Sequence, residues 1–314
     1  MTRFQQMIAA KKAKGLHVCV GLDPEIERIP ACIKNRYYGD ESPKTAQMSE
    51  FMTEIALYTA DIALATKPNW AFFEGEGIDG ENALADADRR IRLNSPDLPF
   101  ILDRKAADIG NTNKGTVNRI FNRLDAEAMT ISPYMGIEDS MDSFLARRDK
   151  QIFILCLTSN KGAKLLQKRR SEVTVQNDGQ LVHDWASNFG GYLYGSEEPR
   201  LVPTYALIAY QAAQLWQKEY GNVGLVVGAT YPAELEIICR IVAGTGVMLL
   251  IPGSKTQGGR LEDIIPILKR TGCMDQAIVN LSRDIIYASA GEDYAEAAQK
   301  KLLSVNEEID RLLG

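Results

Sequence analysis

Short apolar runs alternate along the chain with longer segments in which apolar residues recur at helical spacing. Eight runs rich in Val, Ile, Leu and Ala are predicted strands: 17–22, 62–66, 100–103, 128–132, 152–158, 223–228, 247–252 and 277–282. Between them, apolar residues three or four positions apart, such as Phe51, Ile55 and Tyr58, indicate amphipathic helices. Continuous apolar strands are typical of a buried parallel sheet. The pattern therefore predicts a single α/β domain over residues 1–314, a (β/α)₈ TIM barrel with an extra N-terminal helix.

One polar, glycine-containing segment, residues 171–200, interrupts this alternation. It carries Asn177-Asp178-Gly179, Gly190-Gly191 and Gly195-Ser196, all of which are turn signals. We expect a long insertion here with one short helix near residues 182–188. A loop of this length inside a compact domain is usually functional.

Composition limits the classes of function. The chain has 314 residues, is 45% hydrophobic and 25% charged, and so is typical of soluble globular proteins. A net charge of -5 argues against nucleic acid as the main partner. No apolar run approaches the ~20 residues that cross a bilayer, and no signal-peptide core is present, so we expect a cytoplasmic protein with no membrane partner. Five widely spaced cysteines and two histidines suggest reduced thiols and no metal site.

Residues able to bind a ligand follow nearly every predicted strand. The active site of a TIM barrel lies at the carboxyl ends of its strands. Because strand side chains alternate, Asp103 and Lys105 should point the same way, and Asp108 follows on a loop or first helical turn. With Lys67 they would form a neutral cluster that holds an ammonium ready to give a proton. The alternative is that Asp103 and Lys105 are solvated surface charges.

The last two strand ends indicate a phosphate site. Residues 252–259 are rich in glycine and precede a predicted helix, so that backbone N–H groups and the helix N-terminus can approach an anion. Arg283 then follows the last strand. Phosphate binding after strands seven and eight is a recurring use of this fold, although a Gly-Gly pair by itself is more often a simple turn.

Several motifs taken together resemble the orotidine 5'-phosphate decarboxylase family in its longer bacterial and protozoal (type 2) form. They occur in the family's order between Val20 and Arg283. The motifs are Val20-Gly21-Leu22-Asp23-Pro24, Lys67-Pro68-Asn69, Leu102-Asp103-x-Lys105-x-x-Asp108-Ile109-Gly110-Asn111-Thr112, Ser132-Pro133-Tyr134-Met135-Gly136, Thr158-Ser159-Asn160, Val227-Gly228-Ala229-Thr230-Tyr231-Pro232, Pro252-Gly253 with Gln257-Gly258-Gly259, and Ser282-Arg283. The chain departs from the family at Ala106-Ala107, where Arg-Gly is usual, and at Ser254-Lys255-Thr256 in an otherwise small, apolar loop.

The resemblance implies conversion of orotidine 5'-monophosphate to UMP and carbon dioxide, in pyrimidine biosynthesis, without metal or organic cofactor. It assigns proton donation to Lys105, repulsion of the departing carboxylate to Asp103, and completion of the charge array to Lys67 and Asp108. In the family the equivalents of Asp108 and Thr112 come from the neighbouring subunit, which implies a homodimer with shared sites. The remaining substrate contacts are Asp23, Lys67 and Asn69 for ribose, Ser132, Thr158 and Ser159 for the pyrimidine, and Pro252, Gln257, Gly258, Gly259 and Arg283 around the phosphate.

Two other functions stay open at this stage. A metal-dependent aldolase resembling hexulose-phosphate synthase shares the Asp-x-Lys-x-x-Asp element and would require a divalent cation. A catalytically inactive, nucleotide-binding barrel could retain the pocket without turnover. An assay of substrate loss in the presence of a chelator separates the three.

Overall fold

Eight parallel strands form one sheet around a common axis. The structure is a computed structural model that describes residues 1–194, 201–253 and 259–314, with backbone only for 189–194. The strands are β1 (Val18–Leu22), β2 (Ala65–Pro68), β3 (Ile101–Ala106), β4 (Ala128–Ile131), β5 (Gln151–Leu157), β8 (Val223–Val227), β9 (Met248–Pro252) and β10 (Ala277–Leu281), with β6 (Arg170–Glu172) and β7 (Leu201–Pro203) in a separate antiparallel pair.

The sheet order is β2-β1-β10-β9-β8-β5-β4-β3, and the two end strands meet. Parallel bridges from Thr66 to Phe100 and from Asn69 to Asp103 link β2 to β3. The predicted TIM barrel is therefore confirmed. Its second strand begins later than predicted, because residues 62–64 complete the turn after a helix, where the Ala63 N–H donates to the Thr59 carbonyl over 2.8 Å. Lys67 consequently lies within β2 rather than after it.

Helices connect the strands and surround the barrel. They are α1 (Arg3–Lys12), α2 (Ala31–Arg36), α3 (Pro43–Thr59), α4 (Trp70–Glu74), α5 (Gly77–Asn94), α6 (Gly110–Val117), α7 (Asp142–Leu145), α8 (Ala163–Leu166), α9 (Val175–Asp178), α10 (Gln180–Tyr194), α11 (Thr204–Gln211), α12 (Gln217–Tyr220), α13 (Pro232–Val242), α14 (Leu261–Thr271), α15 (Arg283–Ile286) and α16 (Tyr294–Leu313). Short 3₁₀ turns lie at Ile26–Arg28 and Met274–Gln276, and π-helical turns at Asn118–Arg123 and Ala212–Trp216. Ile137–Met141 is a kinked turn, in which Asp139 has a positive φ of 56°. None of the helices in the described ranges is long and apolar enough to cross a membrane.

The extra N-terminal helix, α1, closes the amino end of the barrel. Thr2 and Gln5 form a reciprocal capping box at its start, which satisfies two backbone N–H groups. Phe4 and Ile8 pack into the barrel interior, where the Phe4 ring meets the Phe153 ring edge-on with centroids 5.8 Å apart. With this end filled by apolar side chains, the carboxyl end is left as the place for a site.

The part of the insertion that the structure describes contains more helix than the sequence indicated. The hairpin of β6 and β7 encloses α9 and α10, so the prediction of one short helix near residues 182–188 was wrong in extent. Val182 and Ala186 are buried, and Trp185 stacks on Tyr210 with ring centroids 4.0 Å apart. Packing of this apolar face offsets the low helix propensity of Gly190 and Gly191.

Candidate active site

A cavity of about 270 Å³ opens at the carboxyl ends of the barrel strands. Its rim is lined by residues that end or directly follow the strands, which is where this fold positions ligands. The lining residues are Asp23, Lys67, Asn69, Phe72, Asp103, Lys105, Thr130, Leu155, Thr158, Ser159, Val226, Gly228, Leu250, Pro252, Gly253, Asn280, Ser282, Arg283 and Asp284.

A carboxylate between two ammonium groups is the electrostatic centre of this cavity. The Lys67 Nζ lies 2.9 Å from Asp103 Oδ2, and the Lys105 Nζ lies 2.6 Å from Asp103 Oδ1. The side chains of Lys67 and Asp103 are only 4% and 12% exposed, whereas that of Lys105 is 45% exposed. The alternative that Asp103 is a solvated surface charge is therefore wrong. Lys105 is the member of the three with an ammonium open to a ligand.

Each buried charge fixes the protonation of its neighbour. Burial by itself would raise the pKa of Asp103, but the adjacent Lys67 and Lys105 hold that pKa well below its ordinary range. Burial alone would likewise lower the pKa of Lys67, and the carboxylates of Asp103 and Asp23 outweigh it, so that this pKa is raised. Asp103 is consequently an anion and Lys67 a cation at neutral pH.

A bulge in β3 brings Asp103 and Lys105 together. Leu102 pairs with Met129 of β4, but the next pairing joins Ala106 to Ile131, so β3 holds two more residues than β4 between these points. Lys105 adopts a positive φ of 50°, which is uncommon for a residue other than glycine. The prediction that the two side chains meet is confirmed, although the assumption of a regular strand was wrong.

Two glycines, Gly21 and Gly228, allow neighbouring strand ends to approach each other closely at the rim of the cavity. A Cβ on Gly21 would lie 1.8 Å from the Ser282 hydroxyl oxygen, and one on Gly228 would lie 2.8 Å from the Ser159 nitrogen. No side chain fits at either position without moving backbone. The end of β1 therefore lies directly beside the start of α15, of which Arg283 is the first residue. The end of β8 lies in the same way beside the end of β5.

Comparison with known proteins gives the same assignment as the motifs. Residues 16–300 match the sequence model of the orotidine 5'-phosphate decarboxylase / HUMPS family. A protein named orotidine 5'-phosphate decarboxylase from Roseiflexus castenholzii is 36% identical over 314 residues, which is 100% of this chain and 99% of that protein. A protein of the same name from Variovorax paradoxus is 38% identical over 99% of this chain and 98% of its own length.

The chain belongs to the orotidine 5'-phosphate decarboxylase / HUMPS family. Among solved structures, the OMP decarboxylase of Leishmania donovani superposes with a TM-score of 0.72 at 28% identity, covering 100% of this chain and 99% of that one. The full-length match agrees with the longer form of the orotidine 5'-phosphate decarboxylase family that the motifs indicated.

Most of the site residues predicted from the family motifs lie together. Those that line the cavity are Asp23, Lys67, Asn69, Asp103, Lys105, Thr158, Ser159, Pro252 and Arg283. Gly259 packs against Ala229, where a Cβ would lie 2.6 Å from the alanine Cβ. Gln257 and Gly258 lie outside the described residues. Ser132, Asp108 and Thr112 are absent from the described lining of this chain's own cavity.

Sequence reasoning missed the floor of the cavity. Leu155, Val226 and Leu250 form an apolar part of it, and Thr130 and Asn280 add polar groups from β4 and β10. Both polar residues are almost fully buried, and the Asn280 side-chain oxygen has no hydrogen-bond partner among the described residues. Thr130 and Asn280 could have been found in the sequence, because each is a polar residue inside an apolar strand, at a position whose side chain points into the barrel.

Proposed function

We propose that this chain decarboxylates orotidine 5'-monophosphate to UMP and carbon dioxide, in pyrimidine biosynthesis. The observation that carries the proposal is the Lys67–Asp103–Lys105 array at the mouth of the barrel, in which Lys67 and Asp103 are buried and Lys105 is accessible. The full-length relatives named orotidine 5'-phosphate decarboxylase support the same activity. The family model alone does not choose between decarboxylase and HUMPS members, since both share it.

The array suits a reaction that develops negative charge at one carbon. The bond from C6 of the pyrimidine to the carboxylate breaks, carbon dioxide leaves, and the electron pair remains on C6. The Lys105 ammonium stabilises this carbanion and then transfers a proton from Nζ to C6. Asp103 lies against the substrate carboxylate, and their repulsion is relieved as carbon dioxide departs. Lys67 lowers the pKa of the Asp103 carboxyl and so keeps it ionised.

The other residues of the proposed site hold the parts of the nucleotide that do not react. Asp23, Lys67 and Asn69 bind the ribose hydroxyls, Ser132, Thr158 and Ser159 read the pyrimidine edge, and Pro252, Gln257, Gly258, Gly259 and Arg283 surround the phosphate. Binding energy from the remote phosphate positions C6 against Lys105. These assignments require no metal ion or organic cofactor.

Asp108 and Thr112 complete the site of a second subunit in this proposal. Asp108 accepts the Ile109 N–H over 2.7 Å, at the start of α6, and lies outside the described lining of its own cavity. A twofold homodimer would carry each Asp108 to the partner's Lys105 and form two identical sites. The enzyme would work in the cytoplasm, where its five free cysteines stay reduced.

The test is the loss of orotidine 5'-monophosphate absorbance with pure protein and excess chelator. The decarboxylase predicts stoichiometric UMP with no effect of the chelator. A rate of orotidine 5'-monophosphate loss that falls with chelation and returns with a divalent cation would contradict decarboxylation without a metal ion. Binding of UMP without any substrate loss would support the inactive nucleotide-binding barrel.

A further inference from the structure

Thr130 carries a buried hydroxyl that directly contacts Asp103 and Lys105 of the β3 bulge. It lies in the middle of β4, is 1% exposed, and borders the cavity at its floor. A threonine in the interior of a parallel barrel leaves a polar group that must find hydrogen-bond partners. Its partners here are the groups that we assign to the chemical step.

The first partner is the backbone of Lys105. The bulge removes the Lys105 N–H from the regular ladder between β3 and β4, which resumes only where the Ser132 N–H donates to the Ala106 carbonyl. The Lys105 N–H donates instead to the Thr130 hydroxyl oxygen over 2.9 Å. A left-handed conformation at a residue with a side chain is strained and persists only when its surroundings hold it. The Thr130 hydroxyl is one of the groups that hold it.

The second partner is the carboxylate of Asp103. The Thr130 hydroxyl donates to Asp103 Oδ1 over 2.8 Å, and the same oxygen accepts the Lys105 ammonium over 2.6 Å. A hydroxyl has one hydrogen, so donating to Asp103 while accepting from the Lys105 N–H fixes its rotation. The result is a closed ring in which Thr130 binds the Lys105 backbone, and Asp103 binds both the Thr130 hydroxyl and the Lys105 ammonium.

We propose that Thr130 is a positioning residue for the decarboxylation, fixing the Lys105 ammonium and the Asp103 carboxylate relative to each other. The inference rests on the proposed function, because the positioned groups are those that act at C6. Thr130 contributes through these two residues rather than by binding ribose or phosphate. Its loss should therefore lower kcat and leave nucleotide affinity nearly unchanged.

The test compares Thr130→Val, which keeps the shape and removes the hydroxyl, with Thr130→Ser, which keeps the hydroxyl. The matched control is Thr59→Val, since Thr59 is equally buried and its hydroxyl donates to the Ile55 and Ala56 carbonyls of its own helix, α3. For each variant we would measure kcat and KM for orotidine 5'-monophosphate, Kd for UMP, and Tm. Thr130→Ala repeats the test with less steric demand if the valine variant does not fold.

Thr130→Val should lower kcat by roughly 10- to 100-fold, because misplacement of reacting groups by about 1 Å costs that order of rate. The KM and the Kd for UMP of Thr130→Val should stay within about threefold of wild type. The kcat values of Thr130→Ser and Thr59→Val should also stay within about threefold of wild type. The inference is overturned if wild type turns over substrate and Thr130→Val or Thr130→Ala keeps its kcat. It is also overturned if UMP binding weakens as much as kcat falls, since that would mean a general structural role. Absence of turnover by wild type would instead overturn the proposed function and this inference with it.

Discussion

Replacing Lys67 by methionine removes one of the two cations that stabilise Asp103. The Lys67 Nζ is 2.9 Å from Asp103 Oδ2, and both side chains are nearly inaccessible to water. Loss of one partner of a buried pair leaves an uncompensated charge and costs about 3–5 kcal/mol. Asp103 keeps the Lys105 ammonium and the Thr130 hydroxyl on its other oxygen, so we expect the lower end, about 3 kcal/mol of unfolding free energy.

The matched control is Lys150→Met. The Lys150 Nζ lies 2.6 Å from Asp125 Oδ1, but the Asp125 side chain is 57% exposed and stays hydrated when the lysine is lost. Because the carboxylate left behind is already in water, we expect a loss of roughly 0–1 kcal/mol, as for an exposed ion pair. Urea unfolding of the three proteins measures the difference. Equal destabilisation by the two substitutions, or none by Lys67→Met, would show that burial does not set the contribution of the Lys67–Asp103 pair.

The effect of Lys67→Met should also depend on pH in a defined direction. The folded pKa of Asp103 is lowered, so its stabilising contribution is present above its unfolded pKa and is lost as the pH falls through and below roughly 4. The folded pKa of Lys67 is raised, so its contribution is lost only as the pH rises above roughly 10. The difference in the free energy of unfolding between wild type and Lys67→Met should be constant from about pH 5 to 9 and should shrink below that range. A difference that grows as the pH falls below 5 would contradict the assigned charges.

Two further predictions concern the phosphate and the second subunit. Arg283→Ala should weaken UMP binding by roughly 10- to 100-fold, the cost of a charge-assisted hydrogen bond, and should affect uridine far less; equal losses in calorimetric titrations of both ligands would make Arg283 structural. Asp108→Ala and Lys105→Ala should each be nearly inactive, yet mixing and re-equilibrating them should form heterodimers in which up to half of the sites are intact. A mixture of Lys105→Ala with the Lys105→Ala, Asp108→Ala double variant can form no intact site and is the control. Subunit exchange verified by mass without rescue would mean that Asp108 acts within its own chain.

The barrel was predictable because burial on both faces gives each parallel strand an apolar sequence that can be read directly. The charged residues at strand ends were predictable for the same reason, since Asp103 interrupts such a run and Lys67 follows one. Their convergence then follows from topology, because all eight strands end at the same face. No long-range information beyond the order of the elements was needed.

The bulge and its threonine were not predictable in this way. A bulge depends on which residues of β4 pair with β3, and positive φ is ordinarily signalled by glycine or asparagine rather than by a lysine such as Lys105. Helix α10 was underestimated because Gly190 and Gly191 lower its local propensity, while the packing of Trp185 on Tyr210 is a tertiary contact. In each case a contact between distant parts of the chain decided the local structure.

Turnover of orotidine 5'-monophosphate and binding of UMP, compared between wild type and Lys105→Ala, test the role of Lys105. The side chain of Lys105 is 45% exposed and that of Lys67 only 4%, so we assign the proton donor's role to Lys105. We expect the variant to lose turnover by several orders of magnitude while its Kd for UMP stays within about tenfold of wild type. A variant that decarboxylates within tenfold of the wild-type rate would contradict the central claim that Lys105 protonates C6.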